Sequence, residues 1–113
     1  MAQQESLVIV ALVRDLMFAS RIGAEAKAAS VGCQIVRDVS QLPAGGRMLL
    51  VDLNLDGAIE AAAAWQRAGG GSVVGFVSHV DAQTISDAKA AGIGRVLPRS
   101  RFVQILPELL REV

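Results

Sequence analysis

Four polar residues of this chain stand where chemistry could be done together: Asp15, Asp52, Ser78 and Arg99. Each comes at or just after the end of an apolar run. Asp15 follows Leu7–Val13, Asp52 ends Met48–Val51, Ser78 follows Val73–Val77, and Arg99 follows Arg95–Leu97. If those runs are parallel strands, all four side chains reach one edge of a sheet, where open α/β folds bind their ligands. Two carboxylates can hold a hard divalent cation such as Mg²⁺, which prefers oxygen ligands. A hydroxyl and a guanidinium across from them could bind the oxygens of a phosphoryl group.

Each residue also has a plainer reading. Asp52 could be a buried-edge carboxylate capping the next loop, because perturbed carboxylates have structural as well as functional uses. Asp15 is well placed as the N-cap of a helix, and Ser78 as a turn hydroxyl.

The elements that must position these groups follow from the patterning. Leu7–Val13 is uninterrupted and rich in β-branched residues, and Met48–Val51 runs without alternation between Gly45-Gly46 and Asp56-Gly57. Both read as strands, the second buried on both faces. Apolar positions Leu16, Ala19, Ile22, Gly23, Ala26 and Ala29 recur at helical spacing, with Gly32 as the expected left-handed stop. Cys33–Val39 mixes charges into an apolar run and reads as an edge strand. Ser40–Gly46 has room for barely one helical turn, although a parallel crossover usually needs about a dozen residues. An Ala-rich helix from Ala58 to about Ala68, anchored by Trp65, precedes the strand Ser72–Val77. Asp81 should cap a helix over Ala82–Ala91 closed by Gly92. After the short strand Arg95–Leu97, Ser100 should cap a last helix, kinked or split at Pro107, with Phe102, Ile105, Leu106, Leu109 and Leu110 facing the core. Strands alternating with helices argue for right-handed crossovers and a parallel sheet.

Composition sets the outer bounds. A chain of 113 residues suits one domain over 1–113, and 52% hydrophobic against 19% charged residues excludes disorder. Eleven basic residues balance eleven acidic ones, so no net field draws nucleic acid or an anionic membrane. The longest N-terminal apolar run is too short to cross a bilayer, and no basic region precedes it. Cys33 is the single cysteine and reads as core, which excludes an internal disulfide and suits a cytoplasmic protein. His79 is the sole histidine, so no histidine-based metal site is expected. It reads as a loop residue, or as a gate or proton acceptor beside the pocket. Arg95, Arg99 and Arg101 cluster around the last strand, either as a solvated rim or as a phosphate-reading patch. A dinucleotide site would need a glycine-rich turn after the first strand, and Arg14-Asp15-Leu16-Met17 has none. A small hydrolase using Asp52 as nucleophile would want a general base that the sequence does not offer convincingly.

From Leu7 to Leu110 the chain resembles the receiver domains of two-component response regulators. Leu50-Val51-Asp52-Leu53-Asn54-Leu55-Asp56-Gly57 is similar to the phosphoacceptor strand and its loop. Phe76-Val77-Ser78 resembles the strand ending in the family's hydroxyl residue, and Ala88–Gly94 the corner before its last strand. The resemblance implies a three-layer, flavodoxin-like (βα)5 fold with strand order 2-1-3-4-5 and a reduced second helix. It implies Asp52 as phosphoacceptor from a phosphohistidine on a histidine kinase or phosphotransfer protein. Asp15, Asp52 and the backbone carbonyl of Asn54 would hold Mg²⁺, and Ser78 and Arg99 would contact the phosphoryl group.

The departures from that pattern concentrate in the same pocket. Receivers carry two adjacent acids after the first strand, and the first of these aligns with Arg14 here. One acid beside a positive charge should weaken Mg²⁺ binding or abolish it. Arg14 could pair with Asp52 and replace the metal's charge, which is the reading favoured here, or point to solvent beside Asp15. The family's lysine falls on Arg99, whose planar fork replaces a compact ammonium, with Pro98 ahead of it. His79 stands where a small residue is usual, and Val96 replaces the aromatic of the last strand. The joint expectation is a stand-alone, divergent receiver acting as a signalling or protein-interaction module, binding its partner without phosphate and without enzymatic activity. The alternative is a Mg²⁺-dependent response regulator phosphorylated at Asp52. The apolar content of so small a domain further suggests a homodimer face along the last helix.

Overall fold

The computed structural model describes residues 8–78 and 81–113. The strands are β1 (Ile9–Leu12), β2 (Cys33–Val36), β3 (Met48–Asp52), β4 (Ser72–Val77) and β5 (Arg95–Pro98). The helices are α1 (Leu16–Ala28), α2 (Ala58–Arg67), α3 (Ala82–Ala90) and α4 (Arg99–Arg111). All pairings are parallel, in the order β2-β1-β3-β4-β5. Two-sided burial explains the unbroken apolar runs: every residue of β1, and Met48–Val51 of β3, is shielded from solvent.

The sheet separates two cores. On one face Ile9, Ala11, Leu50, Val74 and Phe76 meet Phe18 and Ile22 of α1 and Phe102, Leu106 and Leu109 of α4. On the other, Val10, Leu12, Leu49 and Val51 meet Ala58, Ala62 and Trp65 of α2 and Ala88 of α3. This is the three-layer arrangement that the alternating pattern predicts.

The connection from β2 to β3 holds a single 3₁₀ turn, Val39–Gln41, where a longer crossover would carry a helix. Its chain end is tied down by α2, which packs on the same face of the sheet: the Trp65 indole N–H donates to the Gly45 carbonyl at 3.1 Å. Beyond it the backbones of β3 and β4 begin in close contact. The Gly71 and Ser72 amides donate to the Gly46 and Arg47 carbonyls, each at 3.0 Å.

Several local expectations are corrected. The left-handed residue after α1 is Ser30 (φ 59°), not Gly32, because the helix ends at Ala28 and the chain reverses at once. Leu16 is 64% exposed and Phe18 takes the buried position near the start of α1. Helix α4 starts at Arg99 after Pro98, so Ser100 lies inside it and does not cap it. It also runs unbroken through Pro107. Pro107 is exposed, and it removes only one helical donor, that of the Val103 carbonyl. Cys33 is partly buried on the edge strand and packs against the α1/α4 core, where burial pushes its thiol pKa up. The apolar residues of α4 are likewise spent in the core. The large hydrophobic side chains left exposed, among the described residues, are Leu16 and Met17. No helix among the described residues is long and apolar enough to cross a membrane.

Candidate functional site

The strand register brings the four candidate residues to one edge. Leu12 is paired with Val51, Asp52 with Phe76, and Val77 with Pro98. Asp15, Asp52, Ser78 and Arg99 therefore leave the sheet at its carboxyl end within a residue or two of one another's level.

Asp15 caps α1. Its Oδ1 accepts from the Met17 amide at 2.9 Å and the Phe18 amide at 3.2 Å. Both donors are among the amides a helix leaves without internal acceptors. Its other oxygen, Oδ2, accepts from Arg99 Nη2 at 3.1 Å. The bond to Arg99, together with the capping amides, holds the Asp15 carboxyl below its ordinary pKa.

Arg99 is the first residue of α4, and its guanidinium carbon lies 4.0 Å from the centroid of the Phe18 ring. Phe18 is itself fixed edge-on against Phe76 (5.0 Å) and tilted against Phe102 (5.8 Å). The cation thus rests on an aromatic platform built by α1, β4 and α4, a favourable setting for a planar guanidinium.

Asp52 ends β3 half-buried. Its Oδ1 accepts from the Asn54 amide at 3.0 Å. Loss of water pushes its pKa up, opposed by the Asn54 amide and the Arg99 charge and reinforced by the Asp15 charge. Arg99 favours the charged form of both carboxylates: it bonds Asp15 directly and reaches Asp52 only through its field, where desolvation outweighs it.

The Asn54 side chain braces the neighbouring loop. Its Oδ1 accepts from the Ser78 amide at 2.9 Å and from the Ser78 hydroxyl at 3.4 Å. Sequence reasoning assigned only the backbone of Asn54 a role. No local pattern announces the side-chain bond, because it spans two loops 24 residues apart.

Arg14 does not pair with Asp52, which corrects the favoured expectation. Its Nε donates to the Arg37 carbonyl at 3.4 Å, and its Nη2 stands 3.8 Å from Asp38. Arg37 returns a bond to the Arg14 carbonyl at 3.3 Å. The parallel pairing of β1 with β2 explains the direction, since it places the two strand ends side by side. His79 lies outside the described residues. Arg95 belongs elsewhere, in a two-bond ion pair with Glu112, and Arg101 reaches Gln104 on its own helix. Val96 is partly buried and packs on the α2/α3 side of the sheet.

The residues proposed for Mg²⁺ fit it poorly as they stand. Both lone pairs of Asp15 Oδ1 are taken by amides, and Oδ2 already faces a cation. Mg²⁺ demands near-ideal octahedral geometry and sheds its water reluctantly, so a guanidinium beside its ligand opposes it. Among the described residues no cluster of three or more histidine, cysteine or acidic side chains has metal-binding geometry.

No protein-family model matches this chain, and no curated protein matches it. Solved structures do, over nearly its whole length. A response regulator from Hahella chejuensis aligns at a TM-score of 0.73 and 15% identity, covering 94% of this chain and 93% of that one. One from Thermotoga maritima aligns at 0.71 and 8%, covering 96% and 97%. The Mn²⁺-bound form of the response regulator Rcp1 aligns at 0.66 and 15%, covering 95% and 91%. The architecture is the flavodoxin-like receiver fold.

Proposed function

We propose that this chain, a receiver fold with an altered pocket, is a signalling module that binds a protein partner without needing phosphorylation of Asp52. The observation that carries this reading is that the four convergent side chains are already engaged in other bonds. Asp15 is bonded to Arg99, Asp52 to the Asn54 amide, and Ser78 to the Asn54 side chain. A phosphoryl group arriving at Asp52 would have to take Ser78 from Asn54 and Arg99 from Asp15 before either could stabilise it. Transition-state stabilisation depends on donors already aimed at the developing charge, and these donors are engaged elsewhere.

The module acts in the cytoplasm, is not an enzyme, and passes its signal by contact, to another protein or to a second copy of itself. Exposed Leu16 and Met17 adjoin Asp15 at the pocket edge and supply apolar surface for such contact. The second reading, a Mg²⁺-dependent phosphoacceptor served by a histidine kinase or phosphotransfer protein, has the position of Asp52 in its favour. It ends the central strand at the carboxyl edge, half-buried.

Intact-mass measurement after incubation with acetyl phosphate and Mg²⁺ separates the two. The expected result is an unchanged mass for both the wild type and Asp52→Ala. One added phosphoryl group on the wild type alone would establish the phosphoacceptor.

A further inference from the structure

We propose that Arg99 is a built-in counter-charge for the pocket, serving the two carboxylates in place of a divalent cation. The inference rests on the receiver-type reading of this edge, but not on whether Asp52 is phosphorylated. Three observations carry it.

The first is the state of Asp15. The oxygen not used in capping α1 is given to Arg99 at 3.1 Å, so the one carboxylate that could join Asp52 around a metal is already neutralised. The second is that Arg99 is held on two sides. Besides the bond to Asp15 it lies 4.0 Å over Phe18, and Phe18 is wedged against Phe76 and Phe102. Phe76 is the register partner of Asp52, so the platform beneath the cation and the carboxylate it serves belong to adjacent strands. The third is that Arg14, another cation at this edge, is turned toward Arg37 and Asp38.

A divalent cation entering between Asp15 and Asp52 must therefore displace a guanidinium fixed by a carboxylate and an aromatic face. Removing that guanidinium leaves two carboxylates that raise each other's pKa, the charge arrangement that draws a divalent cation. Arg99 is a positioning residue here: it fixes the free oxygen of Asp15 and supplies the pocket's positive charge without reacting itself.

The test uses Mn²⁺ as probe on the full chain, with calorimetry and paramagnetic broadening of assigned backbone amides. The wild type is expected to show no saturable Mn²⁺ binding in the millimolar range. Arg99→Ala and the shape-conserving Arg99→Gln should each gain saturable binding, with broadening centred on Asp15, Asp52 and Asn54. The gain should be about tenfold or more in affinity, equivalent to ~1.4 kcal/mol. It should vanish when Asp52→Asn is added, whereas Arg99→Lys, which keeps the charge, should stay metal-poor. The amide spectrum shows directly which variants are folded, and Arg99→Gln serves if Arg99→Ala is not. Saturable, Asp52-dependent binding by the wild type would overturn the proposal, and so would folded neutral variants that gain nothing. A wild type that binds no Mn²⁺ yet accepts a phosphoryl group would leave the counter-charge standing and sink only the phosphorylation-independent reading.

Discussion

Arg99 closes a contact across 84 residues of chain when its Nη2 meets Asp15 Oδ2 at 3.1 Å. This bond links the start of α4 to the start of α1 at the carboxyl edge of the sheet. Both side chains are partly open to water, 35% and 49% exposed, so its value for stability is modest and its value for placement larger.

Asp15 has two separable duties, and substitution can divide them. Asp15→Asn keeps an oxygen to cap α1 but removes the charge that holds Arg99, whereas Asp15→Ala removes both. Thermal midpoints should fall in the order wild type, Asn, Ala. Added salt should narrow the gap between wild type and Asn and leave the gap between Asn and Ala nearly unchanged, because screening acts on charge and not on capping. Because folding lowers the Asp15 pKa, its contribution is present above the ordinary carboxylate pKa and is lost as pH falls through the lowered one. Melts across the acid range at fixed ionic strength check the sign.

Asp52 should behave in the opposite sense. Folding raises its pKa, chiefly by desolvation, so the folded state binds its proton more tightly than the unfolded one. Its contribution is fully favourable below the unfolded pKa and is lost as pH rises through the folded value. Asp52→Asn should therefore raise the melting temperature by a few degrees at neutral pH. The advantage should shrink to nothing as pH drops below the ordinary carboxylate range. Differential scanning calorimetry of both proteins over that range would expose a reversed sign.

Arg14 is expected to matter little. Its side chain is 60% exposed and its distance to Asp38 is 3.8 Å. Arg14→Ala should shift stability by no more than about 0.5 kcal/mol in denaturant titration. A larger loss, or a change in the titration of Asp52, would place Arg14 back in the pocket.

Gly71, just before β4, lies close against the backbone of Arg47, just before β3. A Cβ built there runs into the Arg47 carbonyl, which is backbone and cannot swing aside. Gly71→Ala should cost about 1–3 kcal/mol by overpacking. Gly94→Ala, where a Cβ meets nothing within 4 Å, provides the control. Urea unfolding of the two variants gives the comparison.

The sequence alone determined the alternation of strands and helices, their parallel pairing, the edge position of Cys33–Val36 and the capping duty of Asp15 and Asp81. These are legible because burial on two faces leaves unbroken apolar runs, and because a cap is a bond between residues two or three apart. The convergence of Asp15, Asp52, Ser78 and Arg99 was legible too, since parallel strands send their ends to one edge. Only the tertiary structure decided which of these groups bond. Arg14 and Arg99 are the same residue type, and nothing within a few positions of either says which one reaches the carboxylates. Strand β2 draws Arg14 aside, while Phe18, Phe76 and Phe102 build the platform that holds Arg99, and these contacts join residues far apart in the chain. Local chemistry sets which elements form, whereas the pairing of charges at a shared edge depends on side-chain reach and packing, which exist only once the sheet is assembled.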